Sequence, residues 1–264
     1  MPDVLGRVHA RLAAGETLLN GWLHLPGGVS AEVMGQAGYD SLTIDLQHGL
    51  IGDGGLVASL QAIAATPAAP FVRVPWLHLP DLTRALDAGA VGVICPMIDT
   101  PEQARALVHA CRYPPSGGRS YGPTRANLIY SDYLDRADRQ TLVFAMIETA
   151  QALENLNAIL DTPGLSGVYV GPVDLSLSLT GTATLDFTQG KVADAVARIA
   201  RGAIARQLIP GIFTQGGQLA RDAAALGYRF LTAGSDFALL SGAARAVLSD
   251  LRAPGSGPSS PPSY

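Results

Sequence analysis

Glu148 closes the apolar run Thr141-Leu-Val-Phe-Ala-Met-Ile-Glu148, and Asp174 follows directly after Leu165-Ser-Gly-Val-Tyr-Val-Gly-Pro-Val. If both runs are strands of a parallel barrel, their C-terminal ends converge on one face, where a carboxylate pair can hold a hard divalent cation. Completed by water, such a cation is open to a 2-keto acid, which chelates it through its carboxylate and keto oxygens. The ion then polarises the keto group and stabilises an enolate. Lys191 is the only lysine of the chain and falls inside a helical pattern. A lysine Schiff base is therefore disfavoured for any carbanion chemistry, and a metal is the expected electron sink.

Further polar residues gather where strands should end. Asp45 and His48 lie in Ile44-Asp-Leu-Gln-His-Gly49, and Arg73 lies in Phe71-Val-Arg-Val-Pro-Trp76. A neutral imidazole titrates near working pH, so His48 is the candidate base; Asp87, ahead of the fourth strand, could reach a neighbouring imidazole and raise its basicity, although on position alone it reads first as a charge near a helix end. Arg73 offers a permanent cation for an enolate oxygen, and an arginine in a strand calls for a buried anion nearby. Trp22 and Trp76 are read as core or pocket wall, with Trp22 and Met146 the candidates for contact with substrate. His24 and His78 lie near strand ends or loops and could line the cavity, but no partner for either is evident.

These residues need a frame that brings strand ends together. Short apolar runs at 18–23, 41–46, 70–75, 91–96, 141–147, 166–170, 208–213 and 228–233 alternate with helical patterns at 30–38, 53–65, 80–88, 101–111, 150–160, 188–206, 216–226 and 236–251. Alternation of this kind predicts a parallel sheet, and eight strands close a TIM (β/α)8 barrel. A helix near 3–14 is expected to cap the barrel bottom. Thr100-Pro101-Glu102 and Ser235-Asp236 carry helix-start signals, and Gly38, Gly89 and Gly227 sit where helices should stop. The stretch from Pro114 to Asp138 is long for a connection and is expected to be a functional loop. Residues 1–252 are read as one barrel domain, and 253–264 as a disordered Pro/Ser/Gly tail.

With 48% hydrophobic and 15% charged residues, the chain can bury a large core. A net charge of -4 without any basic run makes nucleic acid an unexpected partner. The longest apolar runs fall short of the roughly 20 residues of a membrane span, so a soluble cytoplasmic protein without a membrane partner is expected. Cys95 and Cys111 lack the spacing of a zinc site or redox pair and are read as reduced and partly buried.

Asp45-Leu-Gln-His-Gly49, Arg73-Val-Pro75, Asp87-Ala-Gly-Ala-Val-Gly-Val-Ile-Cys-Pro96, Arg112-Tyr-Pro-Pro115, Ile147-Glu-Thr149 and Gly171-Pro-Val-Asp-Leu-Ser176 resemble, in order, the HpcH/HpaI family of metal-dependent pyruvate aldolases. The resemblance implies a barrel that binds Mg2+, Mn2+ or Co2+ and reversibly cleaves 4-hydroxy-2-keto acids to pyruvate and an aldehyde. It gives His48 the role of base acting through water, with Asp87 enhancing its basicity. Arg73 stabilises the transition state, Glu148 and Asp174 are the metal ligands, and Gly171, Pro172 and Val173 hold the substrate carboxylate. It also implies a last helix exchanged between subunits and a hexamer, a trimer of dimers. Two positions depart from the family pattern: Met146 stands where Gln is common, and Gln47 where Glu is common. An oxaloacetate decarboxylase or related metal-dependent lyase would use the same enolate, and a barrel that binds a keto acid without turnover is the reading from another class.

Overall fold

A computed structural model of the chain describes residues 4–253. The tail expected to be disordered lies, from Pro254 onward, outside the described residues. Eight parallel strands close in sequential order: β1 (Leu18–Leu23), β2 (Ser41–Asp45), β3 (Ala69–Arg73), β4 (Gly92–Cys95), β5 (Leu142–Ile147), β6 (Gly167–Val170), β7 (Ile209–Thr214) and β8 (Phe230–Ser235). Around them run α1 (Val4–Ala13), α2 (Gly28–Gln36), α3 (Asp53–Ala64), α4 (Leu79–Asp87), α5 (Pro101–Cys111), α6 (Ala126–Ile129), α7 (Tyr133–Gln140), α8 (Ala150–Glu154), α9 (Leu156–Leu160), α10 (Pro172–Thr180), α11 (Gly190–Ile204), α12 (Gly217–Ala225) and α13 (Asp236–Arg252). The expected TIM barrel is observed, with strand ends shifted by at most two residues.

Strands buried on both faces read as apolar runs because one face meets the helices and the other fills the barrel. Inside, rings from Phe71, Phe144, Tyr169 and Phe230 stack with centroids 4.8 to 6.2 Å apart. The sequence makes room for them with glycine on the next strand: Phe71 pairs with Gly92, Phe144 with Gly167 and Tyr169 with Gly211. A Cβ at any of these glycines would come within 2.6 Å of the facing ring. Val8 on α1 belongs to this inner cluster, with Val4 and Leu12 packed against it, so the N-terminal helix plugs the barrel bottom as expected.

The helix signals hold at Thr100, whose side chain forms a full capping box with Gln103, and at Ser235, which accepts the Ala238 N–H. The expected helix 150–160 is divided at Asn155, whose side-chain amide instead donates to the Asp99 carbonyl at 2.8 Å. Three helices were not expected. Two, α6 and α7, lie in the 114–138 stretch. That stretch links α5 to β5 and therefore lies at the N-terminal end of the barrel, where Arg125 bonds the carbonyls of Ala88 and Leu60. The functional loop expected there is, within one chain, packing on the face opposite the strand C-termini. The third, α10, begins at Pro172 and carries Asp174 in its first turn.

At the top, Asp236 accepts from His24 N, Leu25 N and the Ser30 hydroxyl, tying the end of β8 to the end of β1. Beyond this anchor α13 leaves the barrel, with Asp236 its one buried residue and Phe237, Leu240, Val247 and Leu251 exposed. Among the described residues no helix is long and apolar enough to cross a membrane. Cys95 and Cys111 are buried and unpaired, and burial pushes the Cys111 thiol up to about 12.

The interior aromatic stack predicts a large core penalty. Phe230→Ala should destabilise the barrel by about 3–5 kcal/mol and lower Tm by on the order of 10 °C in thermal unfolding followed by circular dichroism.

Candidate active site

Asp45 ends β2 and Arg73 ends β3, and the two are register partners in adjacent strands. Their side chains therefore rise side by side: Arg73 Nε donates to Asp45 Oδ1 at 2.9 Å and Nη2 to Oδ2 at 2.6 Å. Asp45 is fully buried and Arg73 nearly so, and this is the anion that an arginine in a strand required. Burial alone would raise the Asp45 carboxyl. Hydrogen bonds from His24 and Arg73, with the Arg73 charge, outweigh it and hold the group well below the usual carboxylate range.

The remaining acceptor capacity of Asp45 shapes the turn that carries His48. Its Oδ1 takes the backbone N–H groups of Gln47 at 3.0 Å and His48 at 3.3 Å. The chain folds back so tightly that a Cβ at Gly49 would lie 2.2 Å from the Asp45 carbonyl oxygen, so only glycine fits. His48 is left exposed at the rim of the cavity. Arg73 lies beneath Trp22, its guanidinium carbon 5.0 Å from the ring centroid, an arrangement that favours a desolvated cation.

The other side of the site is built by β5, β6 and α10. Glu148 is 2% exposed, and its Oε1 accepts the Met97 N–H at 2.8 Å. Met97 delivers that N–H from a left-handed conformation, φ 55°, which a non-glycine residue adopts only where its surroundings enforce it. Oε2 of Glu148 lies against Gly171, where a Cβ would come within 2.4 Å of it. Burial, and next the charge of Asp174, push the Glu148 carboxyl up to about 7 even though the Met97 N–H pulls it down. Two carboxylates that repel one another at the edge of a cavity are the residues that can hold a divalent cation, since a cation relieves that repulsion.

Both sides face one cavity of about 310 Å³ at the strand C-termini. It is lined by Trp22, His24, His48, Arg73 and Phe213 on one side and by Met146, Tyr169 and Gly171 to Asp174 on the other. Glu148 sits immediately behind the lining at Gly171. The volume lies near the small end of ligand sites, which suits a compact metabolite. Gly171 is the N-cap of α10 and Pro172 to Asp174 of its first turn line the cavity, so the positive end of that helix is placed to favour an anion there.

The structure thus brings His48, Arg73, Asp174, Met146, Trp22, Gly171, Pro172 and Val173 to one cavity, with Glu148 at its back. Asp174 is a helix residue in the first turn of α10, where it had been expected just past a strand end. Asp87 is not among them. It ends α4, a helix that runs against the strands, and so lies at the opposite end of its own barrel, where Arg119 Nη2 donates to it at 2.6 Å. His24, read from sequence as unpartnered, is corrected: its Nε2 is 3.1 Å from Asp45 Oδ2 and it lines the cavity. The signal was its position one residue past β1, which pairs with β2 through Leu23 and Ile44 and so brings His24 beside Asp45. His78 pairs with Asp81 on the surface. Lys191 is exposed on α11, in the outer layer.

A parallel (β/α)8 barrel with paired charges and a small cavity at its strand C-termini is an enzyme scaffold with its site in the position usual for that fold. The model of the HpcH/HpaI aldolase/citrate lyase family matches residues 22–243. The chain is 42% identical over 240 residues to a hydroxypyruvate/pyruvate aldolase of Rhizorhabdus wittichii, covering 90% of this chain and 96% of that protein. It is 37% identical over 245 residues to a 4-hydroxy-2-oxo-heptane-1,7-dioate aldolase of Escherichia coli, covering 90% and 92%. A crystal structure of an HpcH/HpaI aldolase/citrate lyase family protein from Burkholderia cenocepacia superposes with a TM-score of 0.87 at 33% identity, over 94% of this chain and 99% of that one. The chain belongs to the HpcH/HpaI aldolase/citrate lyase family and is a carbon–carbon lyase of the aldolase type.

The raised Glu148 carboxyl makes stability depend on pH. Its folded form holds the proton more tightly than the unfolded chain, so its contribution is complete below the ordinary value of 4.5 and is lost as pH rises through about 7. In metal-free protein Glu148→Gln should therefore raise Tm more at pH 8 than at pH 4.5, measured by thermal unfolding at both.

Proposed function

We propose that this protein reversibly cleaves 4-hydroxy-2-keto acids to an aldehyde and pyruvate or the closely similar donor hydroxypyruvate. The observation that carries this reading is the single cavity with a carboxylate pair on one wall and an exposed imidazole beside a buried arginine on the other. The names of the R. wittichii and E. coli relatives support it.

Glu148 and Asp174 would hold Mg2+, Mn2+ or Co2+, oxygen ligands suiting hard cations, and such an ion supplies Lewis-acid polarisation of a keto group. The first-turn N–H groups of α10, past Gly171 and Pro172, receive the substrate carboxylate. Arg73, fixed in place by Asp45, offers N–H donors and a desolvated charge to an oxygen on which negative charge develops. His48, at the cavity rim, moves the proton, directly or through one water. Met146 presents an apolar wall beside Gly171, so the substrate receives no side-chain hydrogen bond at that position.

Asp87 cannot reach the His48 of its own chain. The role that the family resemblance gives it therefore requires the Asp87 of a second copy. The exposed apolar residues of α13 support assembly into a homo-oligomer in which that helix is exchanged between neighbours.

Exchange of the C3 protons of pyruvate in D2O, followed by NMR, tests enolate formation without knowledge of the aldehyde. Exchange is expected only with a divalent cation present, and His48→Ala should lower it by about 10² to 10⁴. No exchange with any divalent cation would sink the pyruvate reading. Co-expressed His48→Ala and Asp87→Ala chains should regain activity that neither has alone, and an inactive mixture would exclude a shared site.

A further inference from the structure

His24 is fixed more firmly than a rim residue needs to be. Its backbone N–H donates to Asp236 Oδ1 at 2.8 Å and its carbonyl accepts the Leu50 N–H at 2.8 Å, so the main chain is held from both sides. Its ring is held as well. Nε2 lies 3.1 Å from Asp45 Oδ2, an oxygen that also takes Arg73 Nη2. The carboxylate can only accept there, so Nε2 carries a proton, and in the neutral tautomer this leaves Nδ1 as the ring's acceptor. Nδ1 makes no hydrogen bond with the described residues. The side chain is 26% exposed and lines the cavity.

Its place around the barrel decides what it can meet. In the closed order β1 to β8, β1 stands opposite β5, so His24 faces the cavity from the wall across from Glu148. A keto acid whose head lies against α10 extends its distal carbons, or the incoming aldehyde, toward β1 and β2. A hydrogen-bond acceptor there has nothing to offer a carbonyl oxygen or an alkyl chain, but it can receive an O–H.

We propose that His24 is a specificity-determining residue that accepts a hydrogen bond from a hydroxyl on the aldehyde partner, so that the site favours short α-hydroxyaldehydes over alkyl aldehydes of equal length. This inference rests on the aldolase reading above. It differs from a general base role, because the proton stays on the hydroxyl, and from a purely structural role, which would act on all aldehydes alike.

The test compares glycolaldehyde with acetaldehyde, two partners that differ by the one hydroxyl, using pyruvate as donor and the full chain in its native assembly. The ratio of their kcat/KM values is measured for the wild type, for His24→Phe, which has no acceptor, and for His24→Gln, which keeps both an N–H for Asp45 and a carbonyl oxygen as acceptor. The ratio should fall roughly five- to tenfold in His24→Phe, the loss of one hydrogen bond in the transition state, and be partly restored in His24→Gln. A ratio that stays put while both rates fall overturns the inference and makes His24 a support for Asp45; a ratio and rates that both stay put overturn it as well. Pyruvate C3 exchange by the wild type separates the two levels. Exchange with an unmoved ratio overturns the His24 assignment alone, whereas no exchange overturns the aldolase reading and this inference with it.

Discussion

The buried Asp45 carboxylate is the interaction on which the rest of the site depends. Taking a charge out of water is costly unless it is paired and its lone pairs are satisfied, and Asp45 meets both conditions at once. Arg73 comes from the adjacent strand, His24 from the strand on the other side, and two backbone N–H groups from the turn that follows. Three elements are thus fixed relative to one carboxylate. Breaking a buried pair by removing one partner typically costs about 3–5 kcal/mol, because the other charge is left behind. Here the loss would also release the turn that presents His48 and the ring that presents Nδ1 of His24.

Across the cavity the electrostatics run the opposite way. Where Asp45 is over-satisfied, Glu148 has one backbone N–H and a like charge nearby, and its carboxyl is pushed up accordingly. Met97 holds that N–H at a positive φ, a local strain of the sort found where surroundings over-determine a functional group. Thr149 and Asn155 stitch the Asp99 segment to the end of β5, which keeps the strained loop in place. One wall is thus rigid and neutralised, the other rigid and short of positive charge. On the proposed reading a cation and a chelating acid would take the second wall, and the distal end of the substrate the first.

Much of this was legible in the chain because period and punctuation agreed. Apolar runs buried on both faces gave the strands, and Thr100, Ser235 and the turn glycines gave the helix ends. The helix α10 escaped notice because Gly171-Pro172 reads as the exit from a strand, although proline is equally at home in a first helical turn. For the stretch at 114–138 the length is legible, but which end of the barrel it packs on depends on strand and helix directions. That His24 could line the cavity is legible from its place near a strand end, but a lone histidine carries no local signal of its partner. Its partner is set by the β1–β2 register, which pairs Leu23 with Ile44 and cannot be read from either segment alone. Asp45 was seen, and a need for an anion near Arg73 was seen, yet only the register joined them.

Direction explains Asp87 as well. In a barrel of βα units each helix runs against its strand, so strand C-termini and helix N-termini share one face while helix C-termini share the other. Asp87 ends α4, and the carboxylate stands there with Arg119, itself 1% exposed and stacked 4.5 Å from the Tyr113 ring. An arginine so deeply buried holds the carboxylate at a fixed place on the outer bottom of the barrel through one of its two oxygens. No rearrangement short of unfolding carries it to the top of the same barrel. Any work it does on an imidazole at a strand C-terminus is work on another molecule, and in the proposed assembly the exposed apolar residues of α13 would hold that neighbour. Assembly and catalysis would then be one requirement, met by a helix that leaves its own barrel and by a carboxylate that cannot serve it.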